Sequence, residues 1–266
     1  MKKKEILNIK GLKISANKNG KRVILIDDIS FNIYQGQIVG IIGETGSGKT
    51  LTMLAVMGML PRGMMIESGT IMFDEENLID KTDDEMRRIK GHEIAMIFQS
   101  QKSSMSPVYK ISTQMRDIIK IYKKLMNKQL DNYCLELLHQ VGFDNPKDVY
   151  NKYPFEISGG MFQRVMLAIA MSMSPKLLIA DEPTTALDAE VKNNMLSAIK
   201  IFQQKLNNSI IIVTHDFSIV KKICTDVVVM KQGRVIEKDT VENILKNPRD
   251  EYTKKLINLK QIDMII

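Results

Sequence analysis

The chain has 266 residues, 44% hydrophobic and 26% charged, which describes a globular protein with room for a sizeable core: one large domain, or a domain with a subdomain. Its net charge of +7 suits phosphate ligands or an anionic surface, but beyond the tip Met1–Lys4 the basic residues are dispersed as solvated faces, which argues against a nucleic-acid stripe. Two cysteines, Cys134 and Cys224, are too few for a disulfide framework, and the longest apolar run, Val165–Met173, falls well short of the ~20 residues of a membrane span. Polar residues rather than an apolar leader follow Lys2–Lys4, so the expectation is a soluble cytoplasmic chain. The cysteines read as small hydrophobes in helical cores, and the 19 methionines as flexible core filler.

In chain order, residues 5–42 alternate in strand fashion, with turn signals at Asn17–Gly20 and Gln35–Gly36. Residues 51–60 predict a helix that stops at Pro61–Gly63. Residues 66–80 predict a hairpin arm, Ser68–Phe73, and then a polar loop. Ile94–Phe98 predicts a buried strand ending at Gln99. From 112 to 142 the apolar residues, among them Met115, Ile119, Leu135 and Leu138, recur at helical spacing. This helical block, running to about 157, reads as an inserted subdomain. A helix over 161–173, the strand Lys176–Ala180, a helix over 189–206, the strand Ser209–Thr214, a short helix and the strand Asp226–Met230 complete the pattern. Continuous apolar strands are buried on both faces, as in parallel sheets, and their alternation with helices argues for an α/β fold.

Between a strand-like run, Gln37–Ile42, and a helix-like one, Leu51–Met57, stands Gly43-Glu44-Thr45-Gly46-Ser47-Gly48-Lys49-Thr50. In that context it is a phosphate-binding loop. Its glycines let several N–H groups point into one concavity, and the following helix adds the positive end of its dipole. Lys49 is placed to reach the β/γ-phosphates, and the Thr50 hydroxyl to ligate Mg²⁺. A second motif, Leu177–Glu182, is an apolar strand ending in two carboxylates, and strand ends feed the ligand crevice of an open α/β sheet. Asp181 suits Mg²⁺, which prefers oxygen ligands; Glu182, expected on the other side of the strand, suits the polarising of an attacking water. In Ile157–Val165, Ser158 is a natural N-cap, and Gly159 and Gly160 let a phosphate approach a helix start.

Taken together and in this order, these motifs make the chain resemble the nucleotide-binding subunit of an ABC transporter over residues 5 to about 258. The resemblance implies an α/β P-loop NTPase fold: a mixed sheet, an antiparallel β subdomain and an inserted helical subdomain at about 100–157, all within residues 1–258, with 259–266 as a C-terminal tail. It implies ATP and Mg²⁺ as ligands. Gly43–Thr50 then looks like Walker A, and Gln99 like the Q-loop glutamine that contacts Mg²⁺ and the coupling region. Ser158, Gly159, Gly160 and Gln163 look like the signature motif. Asp181 looks like the end of Walker B, with Glu182 as the catalytic carboxylate. Asp188 looks like the D-loop aspartate and His215 like the switch histidine, while His92 and His139 read as surface or helix-packing residues. The implied mechanism is a head-to-tail dimer that sandwiches ATP between Walker A of one subunit and the signature of the other. Two departures stand out: Ile157 replaces the usual leucine, and Gly20–Leu25, the segment upstream of Walker A where such proteins stack an aromatic on adenine, has none, Val23 being the best substitute.

Tyr153–Arg164, Ile179–Asp188 and the tail Asn247–Thr253 further resemble the peptide/nickel importer branch. The short tail and the Tyr-Pro-Phe-Glu run lean slightly towards the nickel type. That branch implies partners: a second, similar ATPase (a heterodimer, or a homodimer in isolation), two membrane permeases and an extracellular or periplasmic solute-binding protein. Residues 99–107 would help form the groove for a permease coupling helix, at the cytoplasmic face of the membrane. The alternative is a non-transport ABC ATPase acting on nucleic acid or the ribosome; the stretch between Lys49 and Ser158 is too short for the long coiled coil of the repair types.

Overall fold

The computed structural model describes residues 4–98, 104–185 and 187–262. Its elements in chain order are β1 (Glu5–Lys18), β2 (Lys21–Tyr34), β3 (Ile38–Ile42), α1 (Lys49–Val56), β4 (Met64–Phe73), β5 (Glu76–Asn77), α2 (Asp83–Ile89) and β6 (Ile94–Ile97). Then come α3 (Ile111–Tyr122), α4 (Asn127–Gln140), α5 (Pro146–Asn151), α6 (Gly159–Ser172), β7 (Leu177–Asp181) and α7 (Ala189–Leu206). The chain continues with β8 (Ser209–Thr214), α8 (Phe217–Ile223), β9 (Asp226–Lys231), β10 (Arg234–Thr240), α9 (Val241–Lys246) and α10 (Glu251–Ile262).

Two sheets result. An antiparallel sheet runs β2-β1-β4-β5, and a mixed sheet runs β10-β9-β3-β8-β7-β6 with only β10 antiparallel. Asn19 and Gly20, both at positive φ, close the β1–β2 hairpin, the geometry that two-residue turns require. The hairpin expected over residues 66–80 is smaller than its strand: β4 pairs chiefly with β1, and β5 contributes two residues after the positive-φ pair Asp74-Glu75.

Strand alternation splits the core of the mixed sheet into two faces. Val39, Ile41, Ile179, Ile211 and Val213 point to one, where α1 and the antiparallel sheet cover them. Leu178, Ile210 and Ile212 point to the other, against α6, α7 and the helices α3 and α4, whose Met115, Ile119, Leu137 and Leu138 join the same cluster. The helical block therefore shares its core with the sheet. The β-strand carboxyl ends and the loops after them are left to form a crevice.

Three differences from the sequence reading have local causes. The 112–142 pattern is two helices, broken at Lys123–Met126. The first helix runs over 49–56 rather than 51–60, because Gly58 at positive φ ends it. The polar loop near residue 80 holds α2, whose Thr82 and Glu85 form a reciprocal capping box. Thr82→Ala is expected to cost about 1 kcal/mol, a fall in thermal midpoint of roughly 2–4 °C; an unshifted melting curve would contradict the cap.

Candidate functional site

The phosphate loop joins the end of β3 to α1. Gly43 carries φ 155° and lies so close to β9 that a Cβ there would meet the Met230 carbonyl oxygen at 2.1 Å. Gly48, the N-cap of α1, has φ 99°, and a Cβ there would meet Ile26 Cδ1 at 2.4 Å. At Gly43 the obstacle is backbone, and at Gly48 the positive φ strains any residue with a side chain. Glu44, Thr45, Gly46 and Thr50 are exposed, so the concave side is open to solvent.

Lys49 is buried, and its Nζ donates to the Gly43 and Glu44 carbonyl oxygens at 2.7 and 2.9 Å. Burial pushes its pKa down, against the pull of Glu182, Asp181 and Glu44. The Thr50 hydroxyl donates to Asp181 Oδ2 at 2.9 Å, tying α1 to the end of β7. Asp181 is 2% exposed, and its Oδ1 has no hydrogen-bond partner among the described residues. Burial pushes its carboxyl pKa up; the Thr50 hydrogen bond opposes this. A buried carboxylate oxygen without a partner, next to a hydroxyl, is the donor set that a hard divalent cation takes. Ser47 Oγ is a second buried polar atom with no partner among the described residues.

Glu182 does not follow strand alternation. It lies one residue past β7 at φ 49°, and its N–H donates to the Val213 carbonyl at 2.8 Å. That turn swings its side chain towards the end of β8. Glu182 Oε1 accepts the His215 backbone N–H at 3.0 Å and faces His215 Nδ1 at 2.6 Å, while Oε2 accepts the Thr185 hydroxyl at 3.1 Å. Both carboxylate oxygens are therefore held in place. Lys49, Thr50, Asp181, Glu182 and His215 converge on one crevice at the ends of adjacent strands. Thr185 is a brace that motif reading missed, since nothing in its spacing marks it.

The signature residues open elsewhere. Ser158 caps α6, accepting the Met161 N–H at 3.3 Å, and Ser158 and Gly159 are exposed. A Cβ on Gly160 would meet Leu187 Cδ2 at 2.5 Å, so the signature helix packs on the segment that leads to Asp188. Asp188 caps α7 through the Val191 N–H at 2.9 Å. Gln163 Oε1 is buried with no partner among the described residues. Val23 is 40% exposed on β2, three residues before Ile26, which touches the loop. Gln99 lies outside the described residues. His92 is exposed and packs its ring at a 60° tilt against Tyr122 with centroids 4.7 Å apart, and His139 is exposed too, so both sit where surface or packing residues were expected. Cys134 is buried in α4, whereas Cys224 follows α8 and is only partly buried, its thiol facing β3 at Gly40.

Comparison with known proteins agrees with this geometry. A family model described as ABC transporter matches residues 26–185. The oligopeptide transport ATP-binding protein OppD of Lactococcus lactis subsp. cremoris is 38% identical over 97% of this chain and 76% of its own length. The glutathione import ATP-binding protein GsiA of Salmonella choleraesuis is 35% identical over 96% of this chain and 42% of its own. Among solved structures, the dimeric bacterial ABC transporter cassette MJ0796 superposes with a TM-score of 0.79 at 25% identity, covering 89% of this chain and 99% of that one.

Proposed function

The chain belongs to the ABC transporter family, and from that premise we propose that it is the ATP-hydrolysing subunit that powers a peptide importer. The observation that carries the hydrolytic part is the unbroken line from Thr50 through Asp181 and Glu182 to His215. Lys49 and the loop N–H groups bind the β/γ-phosphates, and Val23 touches the base. Thr50 and Asp181 would hold Mg²⁺, with Gln99 as a further ligand; the cation would offset phosphate charge. Glu182 orients the attacking water, and His215 stabilises the transferring phosphoryl group.

The exposed Ser158 and Gly159 would meet the triphosphate bound by a second ATPase subunit, with Gly160, Gln163 and Asp188 at the same interface. MJ0796 was solved as a dimer, which supports two copies or a pair of related subunits closing over nucleotide. An apolar hollow of about 590 Å³, lined by Met105, Pro107, Phe155 and Phe162, lies beside Ser158 and would seat a permease coupling helix. No helix among the described residues is long and apolar enough to cross a membrane, so permease contact would hold the subunit at the cytoplasmic face. A solute-binding protein would deliver cargo to the permeases.

Cargo is read from relatives. The oligopeptide and glutathione importers favour peptides over the nickel lean of the tail, and transport over the non-transport alternative. In vesicles holding this subunit, its permeases and the solute-binding protein, ATP turnover is expected to rise several-fold with peptide, with labelled peptide accumulating. Stimulation by nickel chelate with no response to peptide would overturn the cargo.

A further inference from the structure

One contact ties the phosphate loop to a segment far away in sequence. The Glu44 N–H donates to the Tyr252 hydroxyl of α10 at 2.8 Å, across 208 positions. That N–H belongs to the Gly43–Glu44 peptide, whose carbonyl, Gly43 O, accepts from Lys49 Nζ at 2.7 Å. A peptide unit is planar, so its N–H and C=O turn together. Gly43 leaves the plane free to rotate, because glycine crosses readily between backbone basins, and Glu44 on the far side is exposed. Lys49 holds this plane from its carbonyl side, and the Tyr252 hydroxyl is the anchor on its N–H side.

The anchor is itself built. The Tyr252 ring is buried, with Lys231 Nζ 4.8 Å from its centroid. Glu237 of β10, also buried, accepts the backbone N–H groups of Arg249 at 2.8 Å and Asp250 at 3.1 Å. Asp250 Oδ1 then accepts the Tyr252 N–H at 2.7 Å. A buried carboxylate thus fixes a turn, the turn fixes an aromatic ring, and the ring's hydroxyl fixes one peptide plane under Lys49. Packing alone would be met by phenylalanine; the hydroxyl adds the hydrogen bond to the loop.

We propose that Tyr252 is a positioning residue of the nucleotide site: it holds the Gly43–Glu44 carbonyl towards Lys49 and thereby sets affinity for the nucleoside triphosphate. This rests on reading Gly43–Thr50 as the nucleotide loop. Tyr252→Phe keeps the ring and its cation contact but leaves the Glu44 N–H without its acceptor. Loss of one neutral hydrogen bond corresponds to a few-fold to tenfold effect, so Kd for ATP is expected to weaken about fivefold. Turnover at saturating ATP should stay within twofold, because the contact acts on bound nucleotide before and during reaction alike.

The test is a fluorescent-nucleotide titration of the purified subunit with Mg²⁺, alongside a thermal melt without nucleotide. Parent protein that fails to bind ATP would refute the nucleotide reading itself. Parent that binds, with Tyr252→Phe binding within twofold of it, would overturn only the positioning role. So would a fall in kcat at unchanged Kd. Glu237→Gln, which retains the aromatic hydroxyl but presents an amide to two N–H donors, should shift Kd in the same direction; an unchanged Kd in that variant would likewise count against the relay.

Discussion

Glu182→Gln is expected to lower ATP turnover about 10²–10⁴-fold, the range for loss of a positioned general base. The geometry separates charge from shape. An amide oxygen at Oε1 still accepts the His215 N–H, and the amide nitrogen at Oε2 still meets the Thr185 hydroxyl, which then accepts. Only the negative charge that polarises water is lost. Binding of ATP should persist, so the closed two-subunit form should accumulate and be visible by size exclusion with Mg-ATP. Turnover within tenfold of the parent would remove Glu182 from the chemistry. Thr185→Val probes the brace separately; it should reduce turnover by a smaller factor, because His215 still holds Oε1.

Gly43→Ala is expected to abolish measurable nucleotide binding and to destabilise the fold by about 3 kcal/mol, combining backbone strain with overpacking. The obstacle at 2.1 Å is the Met230 carbonyl oxygen, and it is part of a paired strand that cannot rotate aside as a side chain would. Either β9 shifts or the loop does. Circular dichroism would show whether the chain remains folded, and isothermal titration would then read binding on folded protein. Tight ATP binding with an unchanged melting point would show that the loop relaxes around the methyl group, contrary to the packing seen here.

Much of this site could be read in the sequence because its chemistry is local. The glycine spacing of 43–50, the apolar run ahead of Asp181 and Glu182, and Ser158 before two glycines each need only a short window. The buried strands β3, β7, β8 and β9 announced themselves by unbroken apolar runs. What lay hidden depends on contacts between distant segments. The sheet order, the swing of Glu182 at φ 49°, its Thr185 brace and the Tyr252 contact all arise where remote chain segments meet. The helix α2 is a different case. Its Thr82-x-x-Glu85 signal was present, but charged Asp83–Arg88 masked it as loop. Val23 remains an inference from position on β2, since a missing aromatic leaves no signature of what replaces it.

The strand that carries the phosphate loop pairs on both sides with strands from the last quarter of the chain, β8 and β9. On a ribosome, Ile38–Ile42 therefore emerges long before either neighbour exists. Pairings so remote in sequence close slowly, and an apolar strand waiting without partners invites self-association. The nascent chain is thus expected to lean on chaperones until Thr214 and Lys231 have cleared the exit tunnel, and truncation before β9 should yield insoluble protein rather than a smaller nucleotide binder.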